Sequence, residues 1–416
     1  MGRNILMKFF YLLFCWLLQI MVANAATIKV GKQFAFKSIK KAVASAKSGD
    51  TILVSSGHYK EGNIIIAQKI HLIGIDYPIL DGEKKFEIIS VKASGVTVEG
   101  FRLVRAGASD MEDYAAIKVY DCNYVNIINN KVDDTHFGIY IQYGNKCTIK
   151  NNTVRGYNID EQLSGNGIHC WKSDSLTVVG NHVSGHRDGI YFEFVKHSLI
   201  QKNVTTKNIR YGLHFMFSNN DSYIGNTFIA NGAGVAVMYS NHVKMLNNNF
   251  KENWGDAAYG LLLKEISDSY IKGNNFEKNT SGVYMEGASR IQFINNTFLN
   301  NGWAMKVQAS CMDINVERNN FIGNTFDVGT NGSLVLNKFN HNYWDKHEGY
   351  DINKDKIGDI PYRPISMYSM IVEKNPPAMM LFRSFITTLL DKTEKVIPSI
   401  TPENLKDDFP LMQKAF

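Results

Sequence analysis

Residues 203–250 read NVTTKNIRYGLHFMFSNNDSYIGNTFIANGAGVAVMYSNHVKMLNNNF. Two patterns recur in this stretch. Asn with Val or Phe two places on begins at Asn226 and Asn248, with a degenerate copy at Asn203, and Gly followed by alternating apolar residues begins at Gly212 and Gly234. Working outward, the Asn pattern returns at Asn130, Asn152, Asn181, Asn274, Asn296, Asn319 and Asn337, mostly in steps of 22 or 23 residues. The Gly pattern returns at Gly138, Gly167, Gly189, Gly260 and Gly282, with Ala304 in the equivalent place. A step of this length is too short for two packed helices and their turns, but fits one coil of short strands joined by turns. The Asn column suits turns that need positive φ, and stacked Asn side chains can hydrogen-bond from coil to coil. The Leu-x-x-Leu-x-Leu frame of a leucine-rich repeat is absent.

The fold predicted is therefore all-β: a single-stranded, right-handed parallel β-helix, a pectin-lyase-like solenoid with an N-terminal helical cap and a C-terminal helix and extended tail. Residues 1–25 read as a signal peptide. Arg3 and Lys8 give a basic start, Phe9 to Val22 is apolar, and Ala23-Asn24-Ala25 is a cleavage signal, so cleavage is expected near Ala25 and export with it. The apolar run is short for a ~30 Å hydrocarbon core. Residues 26–75 form the N-terminal cap and first coils, with a short amphipathic helix from Phe36 to Ala46 that would cover the first sheet edge. Residues 76–345 are the repeats, 346–377 a C-terminal cap loop, and 378–416 a helix and tail.

Composition limits the partners. The formal net charge is +6, or +4 once Arg3 and Lys8 are removed, with no dense basic stripe, so nucleic acid is not expected. Cys122, Cys147, Cys170 and Cys311 make no Cys-x-x-Cys pair, which argues against zinc, and Cys147 and Cys170 fall at inward positions.

Side chains alternate along a strand, so the Gly-led strand assigns its own faces. Apolar pairs such as Leu213/Phe215 and Val235/Val237 point inward. The outward columns then read Tyr140, His169, Tyr191, His214, Ala236, Leu262, Tyr284, Lys306 and Gln142, Trp171, Glu193, Met216, Met238, Lys264, Glu286, Gln308. This places His214, Met216 and Met238 together, an imidazole and two thioethers that suit a soft ion such as Cu(I). His169, His242 and Met245 are further candidate ligands, and Trp171, Tyr191, Glu193 and Tyr239 complete the candidate binding face. Two coils are longer than the rest, by insertions in Arg155–Ser164 and Lys251–Tyr259, which are expected to wall this face. Asp351, Asn353, Asp355 and Asp359 have the spacing of a calcium loop, but Tyr362 stands where the closing Glu is required.

Three segments carry a resemblance: Tyr211-Gly212-Leu213-His214-Phe215-Met216-Phe217-Ser218-Asn219, Gly234-Val235-Ala236-Val237-Met238-Tyr239-Ser240, and Gly358-Asp359-Ile360-Pro361-Tyr362-Arg363-Pro364. In order and spacing they resemble NosD, the exported β-helix family of nitrous oxide reductase maturation. The resemblance implies a periplasmic accessory protein rather than an enzyme. It implies an ABC-type ATPase and membrane permease as partners, with nitrous oxide reductase and a copper chaperone, and membrane association through the permease. It also implies a role in assembling a copper–sulfide centre, by supplying sulfur or handling copper. The periodic Met379, Met380, Phe382, Phe385, Ile386, Leu389 and Leu390 then read as a helix that docks on the permease.

The alternative class is a carbohydrate-active β-helix enzyme, a polysaccharide lyase or epimerase. His186, Arg187, Asp188, Tyr191 and Glu193 would be its acid/base set. The Asp-Pro-His motif of alginate epimerases and the Arg-x-Pro-x-x-Arg motif of pectate lyases are both missing.

Overall fold

In the computed structural model the described residues are 25–108, 112–157, 160–162, 164–255, 258–334, 336–396 and 405–416. The signal-peptide reading of residues 1–24 lies outside them. The chain winds into a right-handed parallel β-solenoid of about 13 turns. Three parallel sheets run its length, of 14, 13 and 12 strands, referred to below as the first, second and third sheets. Each coil visits them in that order, as in Thr148–Lys150, Thr153–Arg155 and Ile168–Trp171.

Two stacking devices fix the coil-to-coil register. At the corner between first and second sheets, Asn130, Asn152, Asn181, Asn203, Asn226, Asn248, Asn274, Asn296 and Asn319 form a buried ladder. Asn130 Oδ1 accepts from Phe101 N, and each later side-chain oxygen accepts from the backbone N–H and side-chain amide of the Asn one coil earlier, as Asn248 Oδ1 does from Asn226 N (2.9 Å) and Nδ2 (3.0 Å). The positive φ expected of this column belongs to the residue before it, for example Asn151 (54°) and Asn247 (54°). The ladder continues at Asn342 rather than Asn337, because Asn319 bonds Asn342 Oδ1 while Asn337 bonds Ile314 and Cys311 elsewhere in the coil.

The second device is the glycine column that opens the third sheet. A Cβ on Gly138, Gly167, Gly189, Gly212, Gly234, Gly260 or Gly282 would lie 2.7 Å or less from the carbonyl oxygen of the column residue one coil on. No side chain fits between backbones so close, which is why Gly recurs there.

The solenoid is filled by side chains that alternate inward. Phe228, Phe250, Phe276, Phe298 and Phe321 stack ring on ring from the second sheet, with centroids 4.6–5.2 Å apart, and end on Trp344. Cys122, Cys147, Cys170 and Cys311 are buried free thiols, Cys170 lying between Ile141 and Phe192 as its inward position predicts.

Both ends are covered. The N-terminal helix is shorter than the sequence suggests, Ile39–Ser45. Ser38 caps it, Glu61 accepts from the Ile39 and Lys40 N–H groups, and Ile39, Ala42 and Val43 bury against the first coil. At the other end, helices at Met367–Lys374 and Phe385–Val396 flank a 3-10 turn at Pro376–Leu381. The tail is not a free extension. Asp407 is buried and accepts from His341 N, Asn342 N, Asn342 Nδ2 and Trp344 Nε1, standing where the next Asn of the ladder would stand.

Candidate functional face

The third sheet carries the candidate residues, and its register is the one the alternation predicts. Tyr140, His169, Tyr191, His214, Ala236, Leu262, Tyr284 and Lys306 align from coil to coil. So do Gln142, Trp171, Glu193, Met216, Met238, Lys264 and Glu286. Gln308 lies beyond the end of its strand, Trp303–Val307, and is buried.

Facing outward did not make the first column exposed. Tyr140, His169, Tyr191 and His214 are all buried. They stack on one another, with centroids 4.4, 4.8 and 4.8 Å apart, and Tyr211 packs on His214 at 4.9 Å. A chain of charges covers them from the corner of the longer coils. Glu161, in the first insertion, pairs with Arg210 (3.6 Å), and Arg210 grips the buried Asp188 through Nε (2.9 Å) and Nη2 (2.6 Å). Burial alone would raise the Asp188 carboxyl, but its bonds to Arg210 and His214 hold it down at about 2. Asp188 therefore stands as a fixed carboxylate. Its Oδ2 lies 3.4 Å from His214 Nδ1, which turns the opposite ring nitrogen, Nε2, into the free one, and Nε2 is buried with no partner.

Met216 and Met238 are direct cross-strand partners and half-buried. Tyr191 Oη donates to Met216 Sδ at 3.7 Å, linking the aromatic column to the thioethers. Beside the methionines runs a ladder that sequence reasoning missed except for Tyr239. Phe194, Phe217 and Tyr239 all stand at positive φ, stack at 5.1 and 5.0 Å, and are exposed. Their signal was available: each directly follows a residue of the outward column Glu193, Met216, Met238.

The other candidates are placed as follows. Met245 is a correction: it faces the core between Tyr223 and Ile271 of the first sheet, fully buried, because the turn after Met238 returns the chain to inward register. His242 sits exposed in that turn, its Nδ1 on Asn241 Oδ1 (2.8 Å). His169 is separated from His214 by the Tyr191 ring, so the two imidazoles do not converge. Burial and the Arg187 charge lower His169 to about 3, which keeps it neutral. In the 351–359 loop the carboxylates already accept from their own backbone: Asp351 from Asp355 N and Lys356 N, Asp355 from Ile357 N, and Asp359 from Ile352 N. Among the described residues no group of three His, Cys, Asp or Glu side chains is arranged to hold a metal.

Met216 and Met238 pair across adjacent strands, and His214 stands two residues before Met216 on the same outward face, its ring packed on Tyr191 and Tyr211; thioether and imidazole are soft to borderline donors that suit Cu(I) better than a hard cation. Both insertions leave the coil between the second and third sheets, after Thr153–Arg155 and after Asn249–Lys251. Met216 and Met238 lie on the coils between them.

Residues 154–357 match the family described as periplasmic copper-binding protein NosD, and residues 20–181 match the right-handed β-helix region. A Pseudomonas aeruginosa protein named probable ABC transporter binding protein NosD is 28% identical over 379 residues, 86% of this chain and 87% of that protein. Its namesake from Stutzerimonas stutzeri is 27% identical, covering 86% of each. Among solved structures, the A-module of the Azotobacter vinelandii mannuronan C-5 epimerase AlgE6 aligns at a TM-score of 0.55 with 14% identity, over 73% of this chain and 86% of that one. DFA-IIIase from Arthrobacter chlorophenolicus in complex with GF2 aligns at 0.56 with 13% identity, over 79% and 95%. At such identities these two structures share the fold alone.

Proposed function

This chain is a NosD-type β-helix protein, and from that premise we propose that it is a periplasmic accessory protein in the maturation of nitrous oxide reductase. It works with an ABC-type ATPase and its permease, passing copper or a sulfur species toward the copper–sulfide centre, and catalyses nothing itself. The family description as copper-binding and the relatives' names as ABC transporter binding proteins support this reading. The observation that carries it is the pairing of Met216 with Met238 beside an imidazole, His214, whose Nδ1 is held by Asp188. Copper here is cargo. Two thioethers hold Cu(I) without the charge that would make release slow, and a copper chaperone delivers to such a site by ligand exchange.

Transporter contact is assigned to the C-terminal helices. Met380 (90% exposed), Phe385 (81%), Ile386 and Leu389 leave an apolar surface uncovered on the far side of the cap. Among the described residues no helix is long and apolar enough to cross a membrane.

Anaerobic Cu(I) titration against a chromogenic competitor tests the ligand set. Met216→Leu/Met238→Leu should weaken binding by about tenfold or more, and equal affinity in both proteins would remove these residues from the role. Phe385→Asp/Leu389→Asp should abolish co-purification with the permease while leaving the melting temperature unchanged. Point changes are needed, because truncation after Pro377 would also remove the Asp407 plug. In cells lacking this chain, the reductase should accumulate without its copper–sulfide chromophore; a fully loaded reductase would refute the maturation role.

A further inference from the structure

We infer that the N-terminal half of the third sheet carries a second binding site, distinct from the methionine pair, for an extended polyhydroxylated chain such as an oligosaccharide. The site is a cleft of about 830 Å³ whose floor on the third sheet runs from Ser90 to Trp171 and Glu193, one coil short of Met216, with Asn63 of the coil before Ser90 also lining it. That floor therefore crosses five consecutive coils, roughly 19 Å at ~4.8 Å per coil, the length of about four sugar rings.

Its floor is built from buried polar groups. Ser90, Lys118, Tyr140 and His169 align in one column and are each buried. Lys118 Nζ is held over the Tyr120 and Tyr140 rings, at 5.0 and 4.8 Å, and donates to the Asp113 carbonyl (3.1 Å). Glu87 is buried beside Ser90 and accepts from Tyr120 Oη (3.1 Å). His169 supplies the feature that points to a ligand. Its Nδ1 faces the Asn166 amide (3.5 Å), which leaves the proton on Nε2, and Nε2 is buried with no acceptor. A buried N–H lining a cleft lacks its partner until something enters.

The heads that line the cleft alternate in kind. Lys92, Lys118 and His169 donate, Glu87 and Glu193 accept, and the tyrosine hydroxyls do both. Hydroxyl groups match such a surface because each both donates and accepts. The carboxylates argue against a nucleic-acid strand or a simple polyanion. An extended peptide would set every second side chain on the buried polar column Ser90, Lys118, Tyr140 and His169.

The test is calorimetric titration of the full mature chain with cellohexaose, chitohexaose and hexagalacturonate, and with a peptide of alternating Ser and Val as the rival ligand. At least one hexasaccharide should bind saturably. Trp171→Ala and Glu193→Gln should each weaken it by about tenfold, and Lys92→Ala, an exposed change that leaves the fold intact, by several-fold. Met216→Leu/Met238→Leu should bind the sugar like the parent, which separates this site from the copper reading. The inference is overturned if none of the three sugars binds, if Trp171→Ala, Glu193→Gln and Lys92→Ala all bind as tightly as the parent, or if the peptide binds and the sugars do not.

Discussion

At the scale of single residues, burial decides which groups respond to pH. His169 and His186 are buried, and loss of hydration, the largest cause in each, lowers them to about 3 and about 4. The unfolded chain takes up protons at these imidazoles below pH ~6.5 while the native state refuses them. Stability should thus fall as pH drops from 6.5 toward 4. Asp221 works in the opposite sense. Its Oδ1 accepts from Ser198 N (2.8 Å), but Oδ2 is buried without a partner, and desolvation raises the carboxyl to about 8. The native state then holds a proton that the unfolded chain has lost, so stability falls as pH rises toward 8. Between pH 6.5 and 7.5 the unfolded imidazoles release their remaining protons and oppose this decline, so the Asp221 contribution, up to about 1.4 kcal/mol per pH unit, is read as the difference in slope between the parent and a variant lacking the carboxyl. Guanidinium unfolding from pH 6.5 to 8 should give Asp221→Asn a more positive slope of stability against pH than the parent; identical slopes in the two proteins contradict the assignment. Alternation made the facing of Met216, Met238 and His214 legible in sequence. It did not show that His214 would be buried, because Asp188 and Glu161 come from earlier coils and are tied over it by Arg210 of its own. Met245 was legible too: it stands three residues before Asn248, as the inward Ile127, Ile149, Val178, Ile200 and Tyr223 stand before their own ladder residues, and that offset marks the core face.

At the scale of elements, the repeat is a set of ladders, and a ladder fails at one rung. Asn248→Ala removes the acceptor for two Asn226 donors and the amide that bonds Tyr223 O and Asn274 Oδ1. With buried unpaired groups costing about 1–3 kcal/mol each, the loss should reach about 3–5 kcal/mol in equilibrium unfolding; a change below 1 kcal/mol would mean that water replaces the amide. Gly234→Ala brings a Cβ against the Gly260 carbonyl and Asn253 Nδ2, and should cost about 1–3 kcal/mol by overpacking, read in the same denaturation. The first Asn ladder was visible in sequence, since it precedes an apolar strand at a steady period. A second buried ladder was not noticed: Asn208, Asn231, Asn253, Asn279, Asn301 and Asn324 bond in the same way at the corner before the third sheet. Each of them stands five residues after a member of the first ladder, from Asn203/Asn208 to Asn319/Asn324. That fixed offset was its signal.

At the scale of the whole molecule, the solenoid has two open ends, and each is closed by different chemistry. The N-terminal helix uses apolar cover. The C-terminal end is closed by a segment far along the chain: Leu405 enters the core, Asp407 ends the Asn ladder, and Leu411 N bonds Asn342 O. Deleting residues 405–416 should lower the melting temperature and promote end-to-end association, measured by light scattering; a monomer of parental stability would show the plug to be dispensable. No sequence pattern linked Asp407 to the Asn repeat, because an aspartate supplies the acceptor and the intervening helices break the period.

The tight stacking of the coils has a metrical consequence. From the strand that ends in Met238, four steps along the third sheet reach Phe326–Gly329, against which the helix Met367–Lys374 packs. Backbones held in contact at every glycine neither stretch nor slide, so the gap between the thioethers and the terminal helices is a rigid ruler of about 19 Å. Adding or excising one whole coil would shift the cargo face along the axis by one graduation, while leaving its chemistry intact.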